Sequence, residues 1–213
     1  MIVVHGVALS PFVRKVLLTL EYKGIPFENL PVFPGADDPA FRKISPLGKI
    51  PILEHDGYTV PDSSIICRYL DSVFPDKSIY PADPKDAATA VWIEEFADSK
   101  LMDVCGTIFQ QRFLKPNLMG QPCDEDAVQD AIKNNMPPLL DYVESLMPDQ
   151  GYLIGDSLSI ADISIATCFA QARYGGYEVD GAAYPKTRSY LDSAFGTSLL
   201  SARLEVERKA FAS

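Results

Sequence analysis

Two short segments in the first third of the chain each place polar groups at the start of a predicted helix. Ser10 is followed by Pro11, and Asp62 is followed by Ser63. The N-terminus of a helix attracts anions because its first backbone N–H groups have no partner within the helix. The two segments therefore predict a site for a small anionic peptide, with Ser10 beside a thiolate.

Ser10 has two interpretations, and the sequence leaves both open. A serine before a proline is the usual N-cap of a helix. Alternatively, the hydroxyl donates a hydrogen bond to a sulfur anion and lowers the pKa of a thiol from its ordinary value of about 8.5. Such a bond contributes about 1.5–3 kcal/mol, and each pKa unit requires about 1.4 kcal/mol. The roles are compatible, because the oxygen can accept from the helix while its proton points at the ligand.

A proline lies inside a strand-like run at Ile50, Pro51 and Ile52. Proline lacks a backbone N–H and is therefore confined to sheet edges or to unusual backbone. A cis Ile50–Pro51 bond would leave the backbone of Ile50 free to pair with an extended peptide. Only about 5–6% of X–Pro bonds in folded proteins are cis, so the sequence alone leaves the isomer open.

Asp62 and Ser63 show the same ambiguity as Ser10. Either they cap the following helix, or Ser63 and neighbouring N–H groups bind a carboxylate while Asp62 pairs with an ammonium. A ligand with an α-amino acid end would satisfy both residues. By contrast, Ser159 and Asp162 match a capping box, and their predicted role is structural.

The remaining reactive side chains are not grouped as a metal or nucleophile site would require. His5 and His55 lie far apart in the sequence, and no Cys-x-x-Cys motif or glycine-rich phosphate loop is present. The wide spacing of the cysteines predicts reduced thiols in a cytosol and no metal. The four cysteines are Cys67, Cys105, Cys123 and Cys168.

The composition is that of a globular protein, with 47% hydrophobic and 23% charged residues among 213. The net charge of −10 argues against nucleic acid and anionic membranes as partners. Residues 1–78 carry 8 basic and 9 acidic side chains, so this near-neutral part is the better place for an anionic ligand. The excess of acidic residues from residue 79 onward is explained by solvent-exposed faces of helices and needs no functional role. No segment reads as a signal peptide or membrane span, which predicts a cytoplasmic location.

The first part of the chain alternates strand and helix signals. A short apolar run at 2–4 predicts a strand, and apolar residues between 13 and 20 recur at helical spacing. Asp56-Gly57 between two apolar runs predicts a hairpin. The order strand, helix, strand, loop, hairpin, helix predicts a small α/β unit.

Three prolines within ten residues, Pro75, Pro81 and Pro84, predict a linker between two domains. Helical periodicity without strand signal follows, so the predicted class is an α/β domain at 1–78 and an all-helical domain at 86–213. The predicted helices cover residues 87–113, 125–147, 160–174, 185–195 and 198–212, with a kink or break at Pro137-Pro138.

In this order, the segments resemble those of the cytosolic glutathione S-transferases of the serine type found in bacteria. The resemblance spans nearly the whole chain, and its motifs are the Ser-Pro-Phe-Val helix start at 10–13, Ser-Pro-Leu-Gly-Lys-Ile-Pro at 45–51, Asp62-Ser63, the proline linker, and Ser-Ile-Ala-Asp at 159–162. It implies a thioredoxin-like domain followed by an all-helical domain, usually in a homodimer.

The resemblance also implies roles for individual residues. Ser10 matches the residue that activates the glutathione sulfur, where the omega-like thiol transferases have cysteine. Lys49 matches a lysine that contacts the glycine carboxylate of glutathione. Ile50 matches the residue whose backbone pairs with the cysteinyl unit, and Pro51 matches a cis-proline.

At the other end of glutathione, Asp62 and Ser63 match the acid–hydroxyl pair that holds the γ-glutamyl unit. Many relatives have glutamate at the first position, so the reach of Asp62 is one methylene shorter. Another lysine or glutamine often lies in the loop after the second strand, and residues 32–37 offer no obvious equivalent.

The implied electrophile site lies in the cleft between the domains. The aromatic residues expected to line it are Phe12, Phe109, Phe113, Tyr174 and Phe211, although the sequence favours ordinary core packing for the last four. The implied function is conjugation of glutathione to small apolar electrophiles in detoxification. Alternatives are a glutathione-dependent isomerase or dehalogenase, or a non-catalytic binding or assembly module. Serine at position 10 disfavours a cysteine-dependent disulfide reductase.

Overall fold

The computed structural model describes residues 1–212, and side chains up to residue 210. Contacts divide the chain into two compact units. The first comprises Met1–Tyr80 together with the residues from Thr197 onward, and the second comprises Pro81–Gly196. The boundary at Tyr80 falls inside the proline-rich stretch that predicts the linker.

The first unit holds one four-stranded sheet among the described residues, with the strand order β2-β1-β3-β4. β1 and β2 are parallel, whereas β1 with β3 and β3 with β4 are antiparallel. The strands are β1 (Ile2–His5), β2 (Phe27–Leu30), β3 (Ile52–His55) and β4 (Tyr58–Pro61). The helices of this unit are α1 (Pro11–Lys23), α2 (Pro39–Ile44), α3 (Ser63–Val73) and, from the end of the chain, α11 (Ser198–Ala212).

The sheet register brings three chain segments to one end of the sheet. His5 at the end of β1 lies opposite Ile52 at the start of β3, and Ile52 lies opposite Pro61 at the end of β4. The residues that follow β1, precede β3 and follow β4 therefore leave the sheet at the same end. These are the segments that contain Ser10, Ile50 and Asp62.

Helix α1 forms as its sequence predicts. Pro11 occupies the first turn, and the helix ends at Gly24, whose φ of 71° is a left-handed conformation that glycine adopts without a Cβ clash. Val13, Val16 and Leu17 are fully buried. Each such side chain contributes about 1.5–3 kcal/mol as an upper estimate, and the helix packs against α3 and α11.

The second unit is helical throughout its regular elements in the described residues. A nearly continuous helical path runs from residue 84 to 118, which is longer than predicted and is interrupted by π-helical segments at Ala97–Leu101 and Gln110–Leu114. A third π-helical segment, Ala131–Asn135, directly precedes the helix Met136–Leu146, whose first turn contains the two prolines. The helical path therefore has no gap between residues 125 and 146, and the irregularity near the prolines is this π-helical segment rather than a break. The helices are α4 (Pro84–Phe96), α5 (Met102–Phe109), α6 (Lys115–Leu118), α7 (Glu125–Asp130), α8 (Met136–Leu146), α9 (Ile160–Tyr174) and α10 (Pro185–Gly196).

The last helix differs from its predicted place. The sequence assigns 198–212 to the helical domain, whereas the structure packs α11 against α1 in the first unit. Helical periodicity shows that a helix has a buried face, but it does not show which neighbour covers that face. None of the described helices is both long enough and apolar enough to cross a membrane.

Asp162 anchors the start of α9, as the capping box predicts. Its side chain is 2% exposed. One carboxylate oxygen accepts from the Leu153 N–H at 2.8 Å and the Tyr190 hydroxyl at 2.6 Å, and the other accepts from the Ser159 N–H at 2.9 Å. The carboxylate thereby joins the preceding loop, α9 and α10.

Asp162→Ala should lower the free energy of unfolding by about 3 kcal/mol or more, because it leaves several buried donors without an acceptor. Urea unfolding followed by circular dichroism measures the change. Asp180→Ala is the control, since Asp180 is exposed and accepts one local bond from the Ala182 N–H. Equal losses in both variants would show that the buried network contributes nothing special.

Candidate functional site

Ser10 lies in a loop that continues the pairing of β1. The Gly6 N–H donates to the Leu30 carbonyl at 2.8 Å and the Val7 N–H to the Val32 carbonyl at 3.0 Å. The Ser10 N–H then donates back to the Val7 carbonyl at 3.0 Å, which closes a turn immediately before α1. Ser10 is thus held at the N-terminus of α1, and its side chain is half-buried.

The Ser10 hydroxyl does not cap its own helix. Ser10 has the extended backbone of an N-cap, yet its side chain accepts no hydrogen bond from the first turn of α1. Among the described residues, this hydroxyl has no hydrogen-bond partner. Of the two interpretations from the sequence, the structure therefore does not support the capping role, and the hydroxyl remains available to a ligand.

The Ile50–Pro51 peptide bond is cis, as the resemblance predicts. Ile50 lies just before β3, and within the described part of the chain its N–H and carbonyl make no backbone hydrogen bond. Pro51 is buried and Ile50 is half-buried. The backbone of Ile50 is therefore free beside the end of the sheet.

Gly6 allows the Ser10 loop, α1 and the Ile50 segment to pack closely. A Cβ atom at Gly6 would lie 2.6 Å from Cγ2 of Val13 and 3.2 Å from Cβ of Ile50. Its φ of 150° also favours glycine. Glycine is therefore required where the loop before Ser10 meets the segment before β3.

Asp62 caps α3 with one carboxylate oxygen. Oδ1 accepts from the Ser64 N–H at 2.9 Å and from the Ile65 N–H at 3.3 Å. No described residue bonds Oδ2, and the residue is exposed. Ser63 is only 4% exposed, and its hydroxyl has no hydrogen-bond partner among the described residues. Capping and ligand binding by Asp62 are therefore compatible, one oxygen serving each.

Lys15 ties the starts of α1 and α3 together. Its side chain is 1% exposed, and its ammonium donates to the Ser64 hydroxyl at 3.0 Å. A buried cation with a fixed partner holds two elements in one arrangement more strictly than apolar contact does. The two helix starts that the sequence singles out are therefore linked directly.

Lys49 is exposed in the turn between α2 and β3. The Ser45 hydroxyl donates to the Lys49 carbonyl at 2.7 Å, and the Gly48 N–H donates to the Ser45 carbonyl at 2.9 Å. Arg42, which the sequence did not indicate, lies against this turn: a Cβ at Gly48 would be 2.5 Å from its Nη1. Two cations, Lys49 and Arg42, therefore lie at this turn, and no spacing in the sequence indicates Arg42.

Three of the predicted electrophile residues form one aromatic cluster in the second unit. The rings of Phe109 and Phe113 stack with centroids 5.3 Å apart, and Tyr174 meets them edge-on at 6.1 and 5.3 Å respectively. Phe109 is buried, whereas Phe113 and Tyr174 are half-buried. Phe12 is half-buried on α1, and the side chain of Phe211 lies outside the described residues.

Arg112 stabilises the segments that carry this cluster, and no sequence pattern indicated this residue. The guanidinium forms an ion pair with Glu125 and donates to the Gly175 carbonyl at 3.3 Å, directly after Tyr174. The hydrogen bond from Arg112 lowers the pKa of Glu125 to about 2. The π-helical segment that contains Phe113 is thereby fixed to α7 and to the end of α9.

The histidines and cysteines are not assembled into a second site. His5 lies 3.4 Å from Glu54, and His55 bonds the Tyr69 hydroxyl at 2.9 Å. Burial raises the pKa of the Cys105 thiol. Within the described residues, no three His, Cys, Asp or Glu side chains are placed to hold a metal ion.

Comparison with known proteins identifies the family. Residues 4–78 match the model of the glutathione S-transferase N-terminal domain, and residues 126–193 match that of the C-terminal domain. The chain is 32% identical over 165 residues to a glutathione S-transferase of Hyoscyamus muticus, covering 75% of this chain and 76% of the relative. It is 30% identical over 208 residues to protein LigF of Sphingobium sp., covering 81% and 80%.

A solved glutathione S-transferase of Rhodospirillum rubrum superimposes with a TM-score of 0.84 at 25% identity, covering 96% of this chain and 92% of that chain. The chain belongs to the glutathione S-transferase family. The predicted class is confirmed: a thioredoxin-like domain containing the four-stranded sheet, followed by a helical domain.

Proposed function

We propose that this protein is a glutathione transferase in which the Ser10 hydroxyl donates a hydrogen bond to the thiolate of bound glutathione. The observation that carries the proposal is the position of this hydroxyl at the N-terminus of α1 without a capping role. The segments with Ile50 and Ser63 leave the sheet at the same end.

The chemistry follows from the charge on sulfur. A hydrogen bond to the thiolate contributes about 1.5–3 kcal/mol, and the N-terminus of a 13-residue helix adds about 0.3–1 kcal/mol. At about 1.4 kcal/mol per unit, the pKa of the thiol falls by roughly one to three units from its ordinary value. The thiol loses its proton to solvent, and the sulfur electron pair then forms a bond to the electrophilic carbon of a substrate held beside it. In a substitution the leaving group departs with its bonding electrons; in an addition the carbon–carbon π bond breaks, and the resulting carbanion takes up a proton from solvent.

The rest of glutathione fits the free groups around Ser10. The backbone of Ile50 pairs with the cysteinyl unit. The Ser63 hydroxyl and the N–H groups of α3 bind the γ-glutamyl carboxylate, and the free oxygen of Asp62 faces the γ-glutamyl ammonium. Lys49 receives the glycine carboxylate, and Arg42 adds a second positive charge beside the same turn.

The electrophile is assigned to the aromatic cluster of Phe109, Phe113 and Tyr174. The half-buried rings of Phe113 and Tyr174 favour an apolar substrate and suit an aromatic one, because edge-on and offset contacts each add about 0.5–1.5 kcal/mol. Phe12 and Phe211 stay predictions as further lining residues. Cytoplasmic detoxification of such compounds is the physiological role we infer.

A second reaction of the same thiolate is favoured by the relationship to LigF, whose solved structure is described as a beta-etherase. There the sulfur electron pair would displace an ether oxygen, which leaves with the bonding electrons and takes up a proton. Binding to immobilised glutathione, followed by a panel of electrophiles that includes an aryl ether, an isomerisable substrate and an alkyl halide, separates these reactions. Failure to bind glutathione would favour the non-catalytic module.

Ser10→Ala should keep the glutathione KM within a few-fold while lowering kcat by about tenfold or more, because the lost bond acts on the thiolate. The pKa of the bound thiol, measured by its ultraviolet absorbance against pH, should rise. Ser72→Ala is the control, since its hydroxyl is exposed and donates to the Arg68 carbonyl. Conjugation at the wild-type rate by Ser10→Ala would remove Ser10 from catalysis.

Ser63→Ala should act mainly on the glutathione KM, because the γ-glutamyl carboxylate is bound equally in the ground and transition states. The expected loss is about 1.5–3 kcal/mol, less where water substitutes. Asp62→Asn should act similarly if its free oxygen faces the ligand ammonium.

The control for Asp62→Asn is Asp83→Asn. Asp83 caps α4 with the same hydrogen-bond pattern, accepting from the Lys85 and Asp86 N–H groups. Titration of glutathione with saturating electrophile compares the variants. Unchanged KM values in both Ser63→Ala and Asp62→Asn would exclude the start of α3 from the binding site.

The protein should be a homodimer. Tyr58 and Ile65 in the first unit are 63% and 54% exposed, which leaves apolar surface for a second copy. Analytical ultracentrifugation at micromolar concentration should give twice the chain mass of 23.4 kDa. A single species at the mass of one chain would contradict the prediction.

A further inference from the structure

A fully buried ion pair joins α1 to the last helix of the chain. The Arg14 guanidinium contacts both carboxylate oxygens of Glu207, with Nη2–Oε2 at 2.7 Å and Nε–Oε1 at 2.9 Å. Both side chains have no exposed surface. A bidentate pair in such a site fixes the orientation of the guanidinium as well as its charge.

The same guanidinium reaches the peptide that carries Ser10. Its Nη2 lies 3.5 Å from the Leu9 carbonyl oxygen, at the long end of hydrogen bonding. The other side of that peptide is the Ser10 N–H, which donates to the Val7 carbonyl. The Arg14 N–H donates to the Ser10 carbonyl at 2.8 Å. Arg14 therefore contacts the backbone both before and after the Ser10 side chain.

We propose that Arg14 and Glu207 are a positioning pair, through which the last helix sets the position of the Ser10 hydroxyl. The inference rests on the proposed function of Ser10 as the donor to the thiolate. Neither residue touches substrate. Glu207 orients Arg14, Arg14 holds the Leu9–Ser10 peptide, and that peptide fixes the Cβ position from which the hydroxyl extends.

A second ion pair on the same two helices provides the comparison. Arg203 on α11 bonds Glu21 on α1 at 3.0 Å, eleven residues beyond Ser10, and Arg203 is 6% exposed. This pair also docks α11 on α1, but its hydrogen bonds do not reach the Ser10 loop. Docking of α11 on α1 therefore does not by itself explain why Arg14 also contacts the Leu9 carbonyl.

The Ser10 hydroxyl needs a positioning pair because its own side chain is not restrained by a hydrogen bond to any described residue. No capping bond restrains the Ser10 hydroxyl, so its place depends on the backbone that carries it. A displacement of about 1 Å in a catalytic group can cost up to about a hundredfold in rate. Since the first turn of α1 does not restrain the Ser10 side chain, the position of the hydroxyl depends on restraint of the Leu9–Ser10 peptide.

The test is a double-mutant cycle with Arg14→Lys and Ser10→Ala. Arg14→Lys keeps the charge but loses the bidentate geometry and should lower kcat by about tenfold or more. It should also raise the pKa of the bound thiol, measured by thiolate absorbance, and leave the glutathione KM within a few-fold. In the Ser10→Ala background, Arg14→Lys should cause no further change in kcat or in that pKa. Its effect there would be zero because it acts through Ser10.

Two companion variants complete the experiment. Glu207→Gln keeps Arg14 but weakens its anchor, and should show the same pattern with a smaller loss. Arg203→Lys is the matched control, which should lower stability without changing the thiol pKa. Thermal unfolding of each variant separates loss of stability from loss of rate.

Three results would overturn the proposal. The first is an equal effect of Arg14→Lys on kcat and on the thiol pKa in the wild-type and Ser10→Ala backgrounds. The second is a rise of the thiol pKa in Arg203→Lys equal to that in Arg14→Lys. The third is failure of both Arg14→Lys and Glu207→Gln to fold when Arg203→Lys folds. If instead Ser10→Ala alone leaves the thiol pKa unchanged, the proposed role of Ser10 fails. That outcome is distinct from a failure of the Arg14–Glu207 inference, in which Ser10→Ala shifts the pKa and Arg14→Lys does not.

Discussion

The candidate site depends on the register of the central strands. Val4, Leu53 and Val60 lie opposite one another across β1, β3 and β4, and all three are buried. A slip of one residue would turn these side chains to the other face of the sheet, so their burial holds the register. The same register places the ends of β1 and β4 beside the start of β3. Burial in the core therefore determines the position of the segments that contain Ser10, Ile50 and Asp62.

The starts of α1 and α3 both have backbone N–H groups without a partner inside the helix, and they differ in how these groups are capped. At α3, Asp62 satisfies two N–H groups of the first turn with one oxygen, while Ser63 beside it is buried without a described partner. At α1, Ser10 leaves the first turn uncapped. An uncapped helix start forgoes about 1 kcal/mol of stability, and that cost is consistent with a hydroxyl kept for a ligand.

Helix α1 carries two adjacent buried cations whose partners lie on different helices. Successive residues on a helix point about 100° apart, so Arg14 reaches Glu207 on α11 while Lys15 reaches Ser64 on α3. Each cation thereby ties the helix that begins at Ser10 to a different neighbour. In the second unit, Arg112 joins the segment that contains Phe113 to the end of α9, and Asp162 joins the start of α9 to the loop before it.

Much of this protein could be predicted from its sequence, because the relevant forces are local. Apolar spacing, Asp56-Gly57, the capping residues and the proline-rich stretch predict strands, helices and a division near residue 80. The motifs around Ser10, Ile50 and Ser63 predict which residues form the candidate site. The cis bond at Pro51 was predicted through the family resemblance, since the residues alone left the isomer open.

Only the tertiary structure decided the contacts between segments distant in sequence. Periodicity could not place α11 on α1, because a helical stripe shows that one face is buried and not against what. Nothing in the spacing marked the pairs Arg14–Glu207 and Arg112–Glu125, or the position of Arg42 against Gly48. The sequence also left open whether Ser10 caps its helix. That depends on where the hydroxyl lies once the loop before it has packed on the sheet, which is a property of the folded chain.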